Sequence, residues 1–356
     1  MQVPLILKAK SLGLETHCFS WEEGAVAKDV VDYFYPISVT EKELILQKCQ
    51  EIGVNGILTI ASDLPVPTIA YVAEKMSLNG NSQRSAFIST NKSAMRMAFA
   101  TRNLPIPLFF SEKEISKKEE IPFPLIVKPT DRSGSRGIKI VHSKDELNEA
   151  IRNAKNISLT KEVIIESFIE GREISVETIS YKGKHKIVAY TDKVTTGPPH
   201  FVELEHHQPA NLSESLKKEV DKITLESLDA LEITNGASHV ELMITNDNKV
   251  FIIEVGARMG GDFIGSHLVE LSTGVDYLKA AIDVTLDNAP DKLECETRSL
   301  NQSGVLFNCE IEDGPKRTST NNINYHIIEQ VLTNPLSLNF TNSNDRAGYK
   351  IYQIRE

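Results

Sequence analysis

Helix and strand patterns alternate over the first eighty residues, the chain turns β-rich after Pro122, and a long hairpin near residue 250 carries two glutamates. Together these predict an α/β and α+β protein, in which a small N-terminal doubly wound parallel sheet precedes a larger α+β body. The length of 356 residues fits two or three domains at roughly 100–200 residues each.

Each element has a local reason. Pro4 to Gly13 reads as a helix and Glu15 to Ser20 as a strand; Thr40 to Gly53 is a second helix, with Thr40 and Glu43 spaced as a capping box and Gly53 as its stop. Gly56 to Ile60 is the next strand. Such sheets open with a strand whereas this chain begins on a helix, so an initial strand is expected to be missing from it. Asn91 caps a helix through Ala100, which ends before Leu104-Pro105-Ile106-Pro107 because two prolines block continuation. The lysine-rich stretch Ser111 to Glu120 reads as a solvated connection. Strands follow at Phe123 to Lys128 and Gly137 to Val141, then a helix capped by Ser143 and Glu146, then strands at Val163 to Phe168, Glu173 to Ser180 and Lys184 to Tyr190. An amphipathic helix from Ser213 to near Leu231 leads into strands Ala237 to Ile244 and Lys249 to Val255. Beyond Pro290 the chain is weakly patterned and rich in Asn, Ser and Thr.

Composition narrows the function. With 40% hydrophobic and 25% charged residues the chain reads as a soluble globular protein. A net charge of −10, from 39 Lys+Arg against 49 Asp+Glu, repels nucleic acid and anionic membranes, so neither is an expected partner. Cys18, Cys49, Cys295 and Cys309 show no CxxC spacing, which points to reduced thiols rather than zinc ligands or disulfides. No apolar run approaches about 18 residues, and the first residues lack a signal-peptide pattern. A cytoplasmic location is expected.

The segment from Glu241 to Glu254 is the most informative. Asp247-Asn248 reads as a two-residue hairpin turn, since both residues tolerate positive φ. Asn246 then faces Lys249, and five residues outward Glu241 faces Glu254, with Cβ atoms about 5 Å apart. Like charges so placed, on a face shared with Met243 and Ile252, destabilise a sheet unless a cation lies between them. Oxygen-only ligands favour Mg²⁺, with Mn²⁺ admissible, held by one or two carboxylates plus substrate phosphates. An exposed hairpin with two solvated acids is the alternative. Arg258 stands four residues beyond Glu254 and suits a carboxylate or phosphate; Met259-Gly260-Gly261-Asp262 after it is a turn that brings backbone against a ligand.

Phe123 to Lys128 runs straight into Thr130-Asp131-Arg132-Ser133-Gly134-Ser135-Arg136-Gly137. Flexible N–H groups and hydroxyls there suit phosphate oxygens, and Lys128 supplies a point charge. The pattern is neither a Walker loop nor a GxGxxG turn, and an ordinary hairpin loop is the alternative. Val163 to Glu173 presents Glu166, an apolar bend and Glu173, which suits adenine between apolar walls and ribose on a carboxylate; a surface turn with solvated acids is the alternative.

Taken in order, these segments resemble the ATP-grasp superfamily over about residues 85 to 290. The resemblance implies an ATP-grasp fold: an N-terminal α/β domain at 1–84, an ATP-grasp domain at 85–290 with a lid subdomain at about 120–190, and a small C-terminal lid region at 291–356 packing on the core. It implies ATP and Mg²⁺ as cofactors. Lys92 and Lys128 would face the phosphates, Ser133, Gly134, Ser135 and Gly137 would form a mobile loop over them, Glu166, Ser167, Phe168 and Ile169 would make the adenine edge, and Glu173 would take the ribose. Glu241 and Glu254 match the metal carboxylates, and Arg258 the arginine that follows. Gly256 departs from the Glu-x-Asn-x-Arg of many members and removes one metal-side group.

Within the superfamily the chain is most similar to amino-acid ligases and other carbamoyl-phosphate-synthase-like carboxylate–amine ligases. The segment from Asp192 to Ala210 resembles their substrate-side loop. That implies Glu203 for an α-ammonium, His206 beside the phosphoryl acceptor or incoming amine, and Lys193 and Gly261 as further substrate contacts; His206 and His207 read otherwise as simple loop histidines. Asp63 sits where open α/β sheets place ligand contacts, or caps the next helix. The implied reaction is a two-step amide synthesis through an acyl phosphate, with Arg258, Lys128 and His206 as catalytic groups. Its partners are small-molecule carboxylates and amines, and a homodimer is left open. A carboxyphosphate-forming or purine-pathway ligase and a catalytically silent ATP-binding regulatory module are the alternatives.

Overall fold

Three sheets organise the described chain, and the computed structural model describes residues 2–290, 297, 301–307, 325–332 and 343–355. The first part holds helix α1 (Val3–Ser11), strands β1 (His17–Phe19) and β2 (Tyr33–Tyr35), and helices α2 (Lys42–Ile52), α3 (Val66–Met76) and α4 (Gln83–Thr90). β1 and β2 pair in parallel. The expected strand from Gly56 to Ile60 is instead extended backbone that ends in one parallel bridge, Ile60 to Met259. The Gln2 side chain explains how it stays satisfied: its amide donates to the Ile60 carbonyl at 2.6 Å and accepts the Ile60 N–H at 3.3 Å, the two bonds a neighbouring strand would make.

The capping box expected at Thr40 does not form. Helix α2 starts one residue later behind Glu41; Thr40 bonds Ser38 at 2.9 Å, and Glu43 accepts from the Tyr71 hydroxyl at 2.6 Å. Gly53 does stop the helix, at φ 72°, a left-handed conformation that glycine adopts freely.

Helix α5 (Lys92–Thr101) begins as expected, with the Asn91 side chain accepting the Ala94 N–H at 3.0 Å. In place of the solvated connection expected after it, Ser111 and Glu114 close a capping box that supports a short helix α6 (Glu112–Ile115) after β3 (Phe109–Phe110). Strands β4 (Leu125–Pro129), β5 (Lys139–Val141) and β6 (Val163–Ser167) join β3 in an antiparallel sheet of order β3-β6-β4-β5. Helix α7 (Lys144–Ile157) lays Leu147, Ala150, Ile151 and Ala154 on this sheet, the i, i+3, i+4, i+7 stripe of an amphipathic helix.

The eight-stranded sheet contains β7 (Arg172–Tyr181), β8 (Lys184–Thr195), β9 (Glu203–Gln208), β10 (Gly236–Ile244), β11 (Val250–Gly256), β12 (Gln302–Phe307), β13 (His326–Leu332) and β14 (Gly348–Ile354), in the order β11-β10-β7-β8-β9-β12-β14-β13. Helix α8 (Glu214–Ala230) covers one face together with α5, over a core that includes Ile174, Val176, Leu242 and Ile252. On the other face α10 (Tyr277–Thr285), which follows α9 (Val269–Thr273), packs with Leu5 of α1 against Ile179 and Val188.

Two readings change here. The stretch from Asp192 to Ala210 is mostly strand: Asp192 and Lys193 lie on β8 and Glu203, His206 and His207 on β9, with only residues 196–202 between them. The weakly patterned region beyond Pro290 supplies β12, β13 and β14, and β12 pairs directly with β9. Cys49 is buried and Cys18 half-buried, both free thiols, whereas Cys295 and Cys309 lie outside the described residues, as does much of 291–356. Among the described residues no helix is long and apolar enough to cross a membrane.

Candidate active site

Strand pairing builds the site before any single residue does. Glu241 of β10 is the register partner of Glu254 of β11, as anticipated, but by a different route. Thr245 pairs with Lys249 around a three-residue loop, with Asn248 at φ 61°, so the expected two-residue turn is wrong by one position. A β-bulge between Glu241 and Leu242 absorbs the extra residue and restores the pairing of the two acids. The bulge also corrects the predicted neighbours: Met243 shares the acids' face, but Ile252 is buried in the core behind the sheet and Ile253 takes its place in the site.

Both acids line a cavity of about 150 Å³ between the four-stranded and eight-stranded sheets. Lys92 Nζ lies 2.6 Å from Glu254 Oε1 and 3.0 Å from the Arg132 carbonyl. Lys193 Nζ lies 2.7 Å from Glu241 Oε1 and also bonds Glu173. Burial disfavours the Lys193 ammonium, yet Glu173, Glu241 and Glu203 around it raise its pKa well above the ordinary value. Burial likewise opposes the Glu241 carboxylate, and Lys193 and His239 overcome it, holding Glu241 well below the usual carboxylate range. Glu173, in the same cluster, goes the other way: burial pushes it up.

Several expected ligand contacts are committed elsewhere. Glu166 lines the cavity, but it is 1% exposed and ion-paired to Arg96 Nε at 2.6 Å and Lys128 Nζ at 2.8 Å. Burial would raise its pKa, and the two cations bring it down to about 2. Arg96 also donates to the Ile253 carbonyl at 2.6 Å, so one side chain links both sheets beside Glu254. Sequence reasoning missed Arg96, although it stands four residues after Lys92 on the same helix face. Ser167, Phe168 and Ile169 do line the cavity, and Phe201 approaches Phe168 at a ring separation of 6.4 Å.

In the loop after β4, Ser133, Gly134 and Ser135 line the cavity, and Ser135 Oγ donates to the Phe201 carbonyl at 3.3 Å. Gly137 does not line it. A Cβ there would stand 2.9 Å from Pro129 Cγ and 3.0 Å from Ile157 Cδ1, so Gly137 serves packing.

On the substrate side Arg258 lines the cavity and Arg258 Nη2 lies 2.9 Å from Asp63 Oδ2; Asp63 reaches the cavity only through this arginine. Arg258 Nε and Asp63 Oδ1 are buried without a hydrogen-bond partner among the described residues. Glu203 lines the cavity and accepts from Ser343 Oγ at 2.7 Å. His206, expected beside the reacting groups, is instead 1% exposed behind the cavity, edge-on to Phe307 and 3.6 Å from Asp262 Oδ2. His207 bonds Tyr352 and Glu205. Gly261 packs near Ala61 and is not in the cavity wall. Asp262 holds Arg346 through two bonds of 2.6 and 2.8 Å, a C-terminal contact that no sequence motif announced.

The residues fit a hard divalent cation. Among the described residues no three His, Cys, Asp or Glu side chains gather as a closed metal cage. Two register-paired carboxylates facing one cavity are what Mg²⁺ uses when phosphate oxygens and water complete its shell.

A cation-lined cavity with two acids thus lies between two antiparallel sheets. Residues 121–266 match the ATP-grasp domain family. It is 28% identical over 195 residues to a D-alanine–D-alanine ligase of Thermosipho africanus, covering 49% of this chain and 52% of that protein. It is 26% identical over 296 residues to an alanine–anticapsin ligase of Bacillus subtilis, covering 72% of this chain and 62% of that one. The chain thus spans between about half and less than two thirds of these relatives. In fold it is similar to the crystal structure of an L-amino acid ligase from Bacillus licheniformis, with a TM-score of 0.83 and 22% identity over 99% of this chain and 90% of that one.

Proposed function

We propose that the protein is an ATP-dependent, ADP-forming carboxylate–amine ligase that makes an amide bond on an amino acid in the cytoplasm, through an acyl phosphate. The observation that carries this reading is the single cavity onto which Glu241, Glu254, Lys92, Lys128 and Arg258 all converge. Mg²⁺ on the two glutamates would supply charge neutralisation to the triphosphate. The protein's own share is positioning. Lys92 and Lys128 are buried, already paired, and therefore pre-aimed cations for phosphate oxygens. Arg258 takes the substrate carboxylate, since its buried Nε–H has no hydrogen-bond partner among the described residues and a carboxylate oxygen would accept it. Glu203 receives an ammonium. Ser133 to Ser135 cover the phosphates and keep water from the acyl phosphate.

Gly256 does not argue for a silent module. A Cβ at that position would lie 2.8 Å from Arg258 Cζ, so the Arg258 side chain occupies the space that a larger residue there would need. The test is phosphate release from Mg²⁺·ATP, screened over single amino acids and pairs, with Glu254→Gln as control. Release that needs an amino acid and vanishes in Glu254→Gln supports the ligase; release indifferent to every carboxylate, or unchanged in the variant, removes it.

A further inference from the structure

A buried chain of polar contacts runs from the Arg258 side of the cavity to one of the two facing glutamates, and the reaction described above leaves it unused. Glu177 of β7 is the register partner of His239 of β10. Glu177 is 0% exposed, and both its oxygens are engaged: Oε1 with His239 Nδ1, and Oε2 with the Gly260 N–H at 3.0 Å. His239 Nε2 lies 3.2 Å from Glu241 Oε1, the oxygen that also takes Lys193 Nζ at 2.7 Å. A carboxylate oxygen accepts, so the bond to Glu241 takes the hydrogen on His239 Nε2. The approach of Gly260 is tight. A Cβ there would stand 2.8 Å from His239 Nδ1 and 3.0 Å from each Glu177 oxygen, so the dyad and the turn fit together only with glycine.

We propose that Glu177 and His239 are positioning residues that fix Glu241 through its Oε1, leave Oε2 for the metal, and tie that carboxylate to the Arg258–Gly261 turn. This rests on the ligase reading of the same cavity. The physical reason is rotameric. A glutamate has three side-chain torsions, and two donors on one oxygen remove that freedom before the cation arrives, so the ordering cost is not charged against binding. The link to Gly260 keeps the metal end and the carboxylate end of the cavity at one spacing, which in-line transfer between them demands.

A purely structural ion pair predicts something different, and binding separates the two. Calorimetric titration with the non-hydrolysable analogue AMP-PNP, in excess Mg²⁺ and again in EDTA, gives the metal-dependent part of the affinity. We expect it to fall roughly 10–100-fold in His239→Ala, the usual loss when a ligand's outer partner is removed, with binding in EDTA unchanged. His239→Gln, which keeps a donor toward Glu241, recovers part of the loss. Glu177→Gln keeps the side-chain shape and weakens the metal-dependent part by a smaller factor, and it carries the test if His239→Ala does not fold. Folded variants with wild-type metal dependence, or a His239→Gln no better than His239→Ala, overturn the positioning role. Wild-type protein that gains nothing from Mg²⁺ overturns the ligase reading itself.

Discussion

Arg258 Nη2 meets Asp63 Oδ2 at 2.9 Å across 195 residues of sequence, so the arginine proposed to take the substrate carboxylate is held by an acid from the N-terminal region. That pair ties the bend before α3 to the end of β11. Asp63→Ala is expected to raise the KM for the carboxylate substrate about tenfold, near the roughly 1.5 kcal/mol of one charge-assisted hydrogen bond, with kcat and AMP-PNP affinity little changed. Equal losses in kcat and KM would place Asp63 elsewhere in the mechanism.

Gly256→Ala tests the crowding of Arg258. The added methyl meets only the far end of a flexible side chain, 2.8 Å from Cζ, so the melting temperature is expected to stay within a few degrees while Arg258 is displaced. Steady-state kinetics then show reduced kcat/KM for the carboxylate.

Glu166 predicts a pH dependence of stability. Its carboxyl titrates at about 2 in the folded chain against an ordinary 4.5, because Arg96 and Lys128 outweigh its burial. The unfolded chain therefore binds the proton first. The contribution, roughly 3 kcal/mol, is complete above pH 4.5 and lost as pH falls toward 2. Urea melts at pH 7, 4 and 3 measure it. Glu166→Gln strands two buried cations; it is expected to cost about 3–5 kcal/mol at pH 7 and to flatten the acid limb.

Limited proteolysis tests the loop. Arg136 is exposed and Arg132 half-buried on either side of Ser133–Ser135. Trypsin is expected to cut there in the free protein, and Mg²⁺·AMP-PNP at ten times its Kd to slow cleavage roughly tenfold if the loop closes over phosphate. Cleavage at an unchanged rate would show that the loop does not cover the nucleotide.

How much of the site was legible depends on the range of the interaction that made it. The Asn91 cap, the α7 stripe and the hairpin that brings Glu241 beside Glu254 follow from neighbours within about one turn or one ladder, and the sequence carries such information in spacing alone. His239 was legible in principle too, two residues from Glu241 on the same strand face. Thr40 shows the limit even of local signals: Thr40 bonds its near neighbour Ser38 and Glu43 the distant Tyr71, in place of a well-spaced capping box.

Residue type and order by themselves determined the class of chemistry: paired acids, two lysines, an arginine and a glycine-serine loop. Only the tertiary structure decided which of them face the cavity. His206 has the chemistry of a site residue, yet the fold assigned it to a buried place beside Asp262 and Phe307, and Glu166, which does line the cavity, is held there by two cations. The physical reason is that a buried charge must find its partner wherever the packed chain offers one, and Arg96, Asp63 and Arg346 come from segments whose proximity no spacing rule encodes.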